Sequence, residues 1–306
     1  MFGNLDRPVW RKRCWGGRFW LALFLVGITW LFFSIARADS LDDFVLSSDA
    51  SRYMRHVVTP CESGGGFVVP SALILPIGVK IWFNECGGSN QGLVCWNQGE
   101  NFMAMGIGHF VWHPRGSKRG SWQHGFPRLL KYMQQHGVQL PEWLSGDKAL
   151  CAPWSNRDEF IASPRDVRLL ELRQLLRDNL GLQARFLVED LLASFPRMLE
   201  ITPRDDRALI LHNFCKLVAE PQGLYVMVDY LNFKGPGIHP SRSNYYQGSG
   251  LLQVLRGMQF APSYYTPIQA FVYSAKIALA RRVERSGGQY QRWLNGWFNR
   301  LNSYLE

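Results

Sequence analysis

The chain has 306 residues, 47% of them hydrophobic, and carries 34 Lys and Arg against 24 Asp and Glu. That apolar share is ample for a packed core and excludes wholesale disorder. The basic excess is moderate, and without a basic patch interleaved with aromatics or a nucleic-acid-binding motif, no nucleic-acid partner is expected.

Half of the excess charge lies in residues 1–38, where Arg7, Arg11, Lys12, Arg13, Arg18 and Arg37 stand against Asp6. The basic residues up to Arg18 precede an uncharged apolar run from Phe19 to Ile35, followed by Ala36-Arg37-Ala38. Basic, apolar and A-x-A in that order is the layout of a secretory signal, cut before Asp39. The rival reading is an uncleaved anchor, since residues 19–35 are just long enough to span a thin bilayer. Either way residues 39–306 are expected to be exported as one domain, periplasmic or secreted, or held at the inner membrane if the signal stays. Export permits disulfides. The exported part has Cys61, Cys86, Cys95, Cys151 and Cys215, an odd number, and a Cys86–Cys95 bridge across the short loop between them is the favoured pairing.

Pro60, Gly64-Gly65-Gly66 and Pro70 read as a loop. Ser71 to Glu85 reads as a short helix, apolar nearly all round (Ile77, Val79, Ile81, Trp82, Phe83) and so buried on most sides, with Gly87-Gly88 as its stop. Residues 89–125, rich in Gly, Asn and aromatics, read as a small β-hairpin or sheet. A helix is expected over Phe126–His136, ended by Gly137. Ser163-Pro164, Thr202-Pro203 and Thr266-Pro267 each place a hydroxyl N-cap before proline, and a helix should follow each. Val167, Leu170, Leu175 and Leu176 form the apolar stripe of the first, and Ala208, Leu211, Cys215 and Val218 that of the second. The fold class is therefore mainly α (α+β), with a small β element near its start.

Glu85 closes the first of these helices. A carboxylate there faces the negative end of the helix dipole, and aromatic neighbours desolvate it. Such surroundings suit a general acid working near neutral pH. The competing reading is a last-turn Glu in solvent. Downstream, Gly106-Ile107-Gly108-His109 suggests backbone passing very close to a neighbouring strand or a ligand.

Glu85 with this G-x-G-H stretch 21 residues later resembles the phage-type lysozymes (endolysins) of the lysozyme-like superfamily. Two further stretches fit in order. Tyr230-Leu231-Asn232-Phe233-Lys234-Gly235, followed by Ser249-Gly250-Leu251-Leu252, is similar to the family's F-N-x-G and S-x-L-L segments. Trp293 to Arg300 resembles its closing G-x-x-N-R helix. The resemblance implies a lysozyme-like fold that cleaves peptidoglycan glycan strands, with Glu85 as the acid.

The sequence departs from that pattern. Val94 stands where the family has Asp or Cys, with Cys95 one place on, and Ala104 stands where a Thr helps hold the attacking water. The loss of that Thr suits a lytic transglycosylase, in which the sugar's own hydroxyl closes an anhydro ring. The longer spacing between motifs makes residues 113–220 an inserted or enlarged helical lobe. Glu100 is the candidate second carboxylate, as nucleophile or base, against the reading of a hairpin-surface Glu. Gly106, Gly108, His109, Asn232 and Lys234 are candidate substrate contacts. Asn232 could bond an acetamido group or cap a turn, and Lys234 could meet an anionic group or stand in solvent. His109 and His113, four apart, raise a metal-hydrolase reading, but only two ligands are evident, and no metal or cofactor is expected. The remaining alternative is a catalytically inactive lysozyme-like protein that binds cell-wall glycan or a periplasmic partner.

Overall fold

A computed structural model of the chain describes residues 69–117, 125–238 and 247–306. The chain divides into two units, 1–46 and 47–306, and the described residues all belong to the second. The signal or anchor expected in residues 1–38 lies outside the described residues, within which no helix is long and apolar enough to cross a membrane.

The architecture is mainly helical with one small antiparallel sheet. Helix α1 spans Ser71–Cys86. It is followed by β1 (Val94–Cys95), β2 (Met103–Met105) and β3 (Phe110–Trp112), in the order β1-β2-β3. Val94 pairs with Met105 and Cys95 with Ala104, and across the other edge of β2 Ala104 pairs with Val111. The remaining helices are α2 (Gly125–Gln135), α3 (Arg157–Ala162), α4 (Val167–Asp178), α5 (Leu180–Ile201), α6 (Arg204–Val218), α7 (Gly223–Lys234), α8 (Leu251–Gly257), α9 (Pro267–Arg285) and α10 (Gln291–Asn302).

Helix α1 ends where the sequence predicts, because Gly87 takes a left-handed φ of 59° and its N–H bonds back to the Phe83 carbonyl. Its burial differs from the expectation. Ile77, Gly78, Ile81 and Trp82 are buried, whereas Phe83 is half exposed, so one face of the helix enters the core. That face lies on α5, which comes from the stretch read as an inserted lobe. The approach at Gly78 is so close that a Cβ there would stand 2.3 Å from the Ala184 Cβ. The all-round buried helix is α7 instead, with every residue from Gly223 to Leu231 inside.

The three Ser/Thr-Pro signals fared differently. Thr266 caps α9, accepting the Gln269 N–H at 3.2 Å in a full capping box with Pro267 in first position. Thr202 instead turns its hydroxyl back to the Met198 carbonyl at 2.6 Å, and α6 begins after Pro203. Ser163 ends α3, and α4 is capped by Asp166, which accepts the Arg168 N–H at 2.9 Å and also grips its guanidinium. An anionic acceptor with its own cation is a stronger cap than a hydroxyl.

Both expected stripes are rotated. Leu169, Leu172 and Leu176 are buried in α4, while Val167 and Leu170 are exposed. In α6 the buried set is Ile210, Asn213, Phe214, Leu217 and Val218, with Leu211 and Ala208 exposed.

Candidate functional site

Glu85 sits in the last turn of α1 with its side chain 15% exposed, so it is not the solvent-facing residue of the competing reading. Three elements converge on its carboxyl. Arg300 of α10 places Nη2 2.7 Å from Oε1. Asn232, in the last turn of α7, donates from Nδ2 to the same oxygen at 3.4 Å and to the Gly108 carbonyl at 3.0 Å. His109 brings Nδ1 to 3.4 Å from Oε2. The apolar surroundings expected from sequence are therefore joined by a buried guanidinium, which the sequence reading did not anticipate.

Arg300 is itself held from behind. Its Nε and Nη2 donate to the two oxygens of Asp229 at 2.8 and 2.7 Å, and Tyr304 donates its hydroxyl to Asp229 as well. Asp229 has no exposed side-chain surface. A buried carboxylate in an otherwise apolar helix must be paired, and Arg300 supplies the charge. The same Nη2 thus touches Asp229 and Glu85, tying α7 to the end of α1 through α10. The guanidinium also lies over the Phe233 ring at 4.5 Å.

The G-x-G-H stretch is the turn between β2 and β3 rather than a strand. Gly106 has φ 67°, and a Cβ on it would stand 2.2 Å from Gln183 Oε1. That oxygen accepts the buried Ile107 N–H at 3.0 Å, while Gln183 Nε2 donates to the Leu176 carbonyl at 2.6 Å. A Cβ at Gly108 would press on Phe110, Asn232 and Leu187. Where the sequence suggested a neighbouring strand or a ligand, the close neighbours of the two glycines are side chains of β3, α5 and α7. His109 follows with φ 49°, a left-handed conformation that costs a non-glycine residue energy and is held by its neighbours.

The His109 ring ends among thiols. Nε2 lies 3.2 Å from Cys86 Sγ and 3.7 Å from Cys95 Sγ. The expected Cys86–Cys95 disulfide is absent, and both residues are free cysteines that each turn sulfur onto the imidazole. Burial first, then neighbouring charges including Glu85, push the Cys86 thiol up to about 12 and the Cys95 thiol up to about 11. Burial lowers His109 from its ordinary value, against the opposing pull of Glu85. A neutral imidazole between protonated thiols and a carboxyl accommodates every one of these contacts. Cys215 of α6 is disulfide-bonded.

Glu100, in the β1–β2 connection, is half-buried rather than a free surface residue, and accepts from Asn97 Nδ2 at 3.1 Å. Burial and, after it, the charge of Glu85 raise its carboxyl above the ordinary value, while Asn97 opposes them. Glu100 therefore senses the charge of Glu85. Ala104, at the position of the missing Thr, is 2% exposed and opposite Cys95.

Lys234 is not solvated. Its Nζ lies 3.8 Å from the Phe233 ring centre and 3.6 Å from that of Trp297, and burial together with Arg282 and Arg300 pushes it down to about 6. His113 packs edge-on against Phe102, away from the partners of His109. Among the described residues no three His, Cys, Asp or Glu side chains are placed to hold a metal ion.

A cleft of about 470 Å³ opens beside this cluster, lined by Asn84, Phe233, Trp293, Gly296, Trp297, Asn299, Arg300 and Ser303. Glu85 is not among its walls, although its sequence neighbour Asn84 and its ion-pair partner Arg300 are. Asn84 is steadied by donating to the Tyr225 hydroxyl at 2.7 Å. Arg300 and Asp229 had a sequence signal that was not used: a lone acid in the apolar run Leu224–Leu231, and a basic residue in the closing motif. No protein-family model, curated protein or solved structure matches the chain.

Proposed function

We propose that this chain is an exported, lysozyme-like enzyme that cleaves the glycan strands of peptidoglycan, with Glu85 as general acid. The observation that supports this reading is convergence. The helix end at Glu85, the turn Gly106–His109, the α7 end at Asn232 and the α10 residue Arg300 are far apart in sequence and meet around one carboxyl. These are the segments on which the resemblance to phage-type lysozymes rests.

In this reading Glu85 gives its proton to the glycosidic oxygen as the bond to the anomeric carbon breaks, and Glu100 faces the positive charge that develops on the sugar. Asn232 and Arg300 hold the Glu85 carboxyl in a fixed orientation, and Gly106–His109 forms the opposite side of the site. Ala104 offers no hydroxyl to hold a water. The ring-closing route then follows: a hydroxyl of the same sugar attacks the anomeric carbon, its proton returns to Glu85, and the product carries an anhydro end.

A second reading is an inactive member that binds glycan or a periplasmic partner. It is favoured by the engagement of both Glu85 oxygens within the protein. Incubation of the protein with purified sacculi separates the two. Soluble muropeptides support cleavage, and binding without release selects the second reading.

A further inference from the structure

Two basic side chains near the end of α7 lack the partners that buried cations normally have. Lys234, in the last turn of α7, is half-buried, with Nζ 3.8 Å from the Phe233 ring centre and 3.6 Å from that of Trp297. Arg282 of α9 brings a guanidinium into the same neighbourhood. Its Nη1 donates to Ser249 Oγ at 3.3 Å and its plane lies over the Tyr290 ring at 5.0 Å, but its Nε is buried without a hydrogen-bond partner. No ion pair among the described residues includes Lys234 or Arg282. A buried donor left unpaired carries its full desolvation cost, so Nε calls for an acceptor.

Electrostatics set the state of the amine. Burial first, then the charges of Arg282 and Arg300, disfavour the ammonium, and the charge of Glu85 opposes them. The faces of Phe233 and Trp297 also attract a cation, which moderates the effect without reversing it. A share of Lys234 is therefore free amine near neutral pH. An unprotonated primary amine in apolar surroundings is the form that adds to carbon dioxide. The nitrogen lone pair attacks the carbon, a C–N bond forms as one C–O π bond opens onto oxygen, and the nitrogen releases a proton to solvent. The product is a carbamate with one negative charge, and nothing is oxidised or reduced.

That charge reverses the local problem. The guanidiniums that oppose an ammonium stabilise a carbamate, and its oxygens are acceptors for the orphaned Arg282 Nε. Access is provided as well, because the two rings against Lys234, Phe233 and Trp297, belong to the wall of the cleft of about 470 Å³. We propose that Lys234 is a carbon dioxide modification site, held as a carbamate whose carboxylate pairs with Arg282. The assignment is independent of the chemistry assigned to Glu85, and either stands if the other fails.

The test uses the whole protein in carbon-13-labelled bicarbonate at about pH 7.5, between the ordinary values of histidine and cysteine. Carbon-13 NMR reads the modification, and trapping with a methylating oxonium salt followed by peptide mass mapping locates it. The wild type should show a carbamate signal that is lost when carbon dioxide is purged, and the trapped ester should map to Lys234. Lys234→Met should show no such signal. Arg282→Gln should lower it by about tenfold, as expected for the loss of one charge-assisted hydrogen bond. A melting curve establishes that each variant is folded, and the mapping on the wild type needs no variant. No carbamate in the wild type at saturating bicarbonate, a signal retained by Lys234→Met, or trapping on another amine overturns the site. Undiminished carbamate in a folded Arg282→Gln protein overturns the pairing with Arg282.

Discussion

Arg300 holds Asp229 with two nitrogens and turns the second of them, Nη2, onto Glu85 Oε1 at 2.7 Å. The relationship is asymmetric. Asp229 has no exposed side-chain surface and depends on the guanidinium, while Glu85 retains 15% exposure and further partners in Asn232 and His109. Removing the cation should therefore harm the fold before it harms the chemistry. Arg300→Met leaves a buried carboxylate without its counter-ion, at a cost of about 3–5 kcal/mol. Adding Asp229→Asn to the same protein should recover a large part of that loss. Urea unfolding of the two variants checks both statements.

Gln183 couples the α4–α5 junction to the turn that carries His109. Gln183→Leu strips the Ile107 N–H of its acceptor and the Leu176 carbonyl of its donor in a fully buried place. A loss of about 1–3 kcal/mol is expected on unfolding, with lower turnover because His109 and Gly108 are then less firmly placed. Stability and activity measured on one preparation test the linkage.

Lys234 sets a pH dependence whose sign can be worked out. Its ordinary value of 10.5 falls to about 6 in the folded chain, chiefly through burial. Between those values the unfolded chain binds a proton that the folded chain does not. Stability therefore rises with pH across this window, by at most about 1.4 kcal/mol per pH unit from this group. Near pH 7.5, between the ordinary values of histidine and cysteine, Lys234→Met should flatten the slope, and it should raise stability there. Melting temperature against pH is the measurement.

Glu100 is raised by its own burial and by the charge of Glu85. In the Glu85→Gln protein the Glu100 carboxyl should therefore titrate at lower pH, as followed by carboxyl NMR. Glu100→Gln should reduce release from sacculi by about tenfold or more, consistent with a charge that assists the transition state.

The outline of the fold is legible in the sequence because its signals are local. Gly87 stops α1 and Thr266-Pro267-Ile268-Gln269 starts α9 through bonds within one turn of chain. Signals that depend on competition were misleading. Ser163 lost the cap of α4 to Asp166, and Thr202 bonded backwards; the buried faces of α4 and α6 are set by the elements they pack against, which no local signal marks. In the site, Gly108, His109 and Asn232 lie around the Glu85 carboxyl, Gly106 lies against Gln183, and Glu100 lies in the β1–β2 connection beside Asn97. Arg300, Asp229 and Gln183 were missed because their partners lie far along the chain, although Asp229 is a lone acid in an apolar run and Arg300 closes a motif. Cys86 and Cys95 suggested a disulfide by their spacing and the expected export, whereas both sulfurs instead lie against the imidazole of His109.

The central claim is that the proton of Glu85 breaks a glycosidic bond, and comparison of the wild type with Glu85→Gln on purified sacculi tests it most directly. The glutamine keeps an oxygen for Arg300 Nη2, so the melting curve should be little changed. Release of soluble muropeptides, with anhydro ends in the wild-type products, should fall by about 10²–10⁴-fold. Equal release by the two proteins, or none by the wild type, would contradict the account.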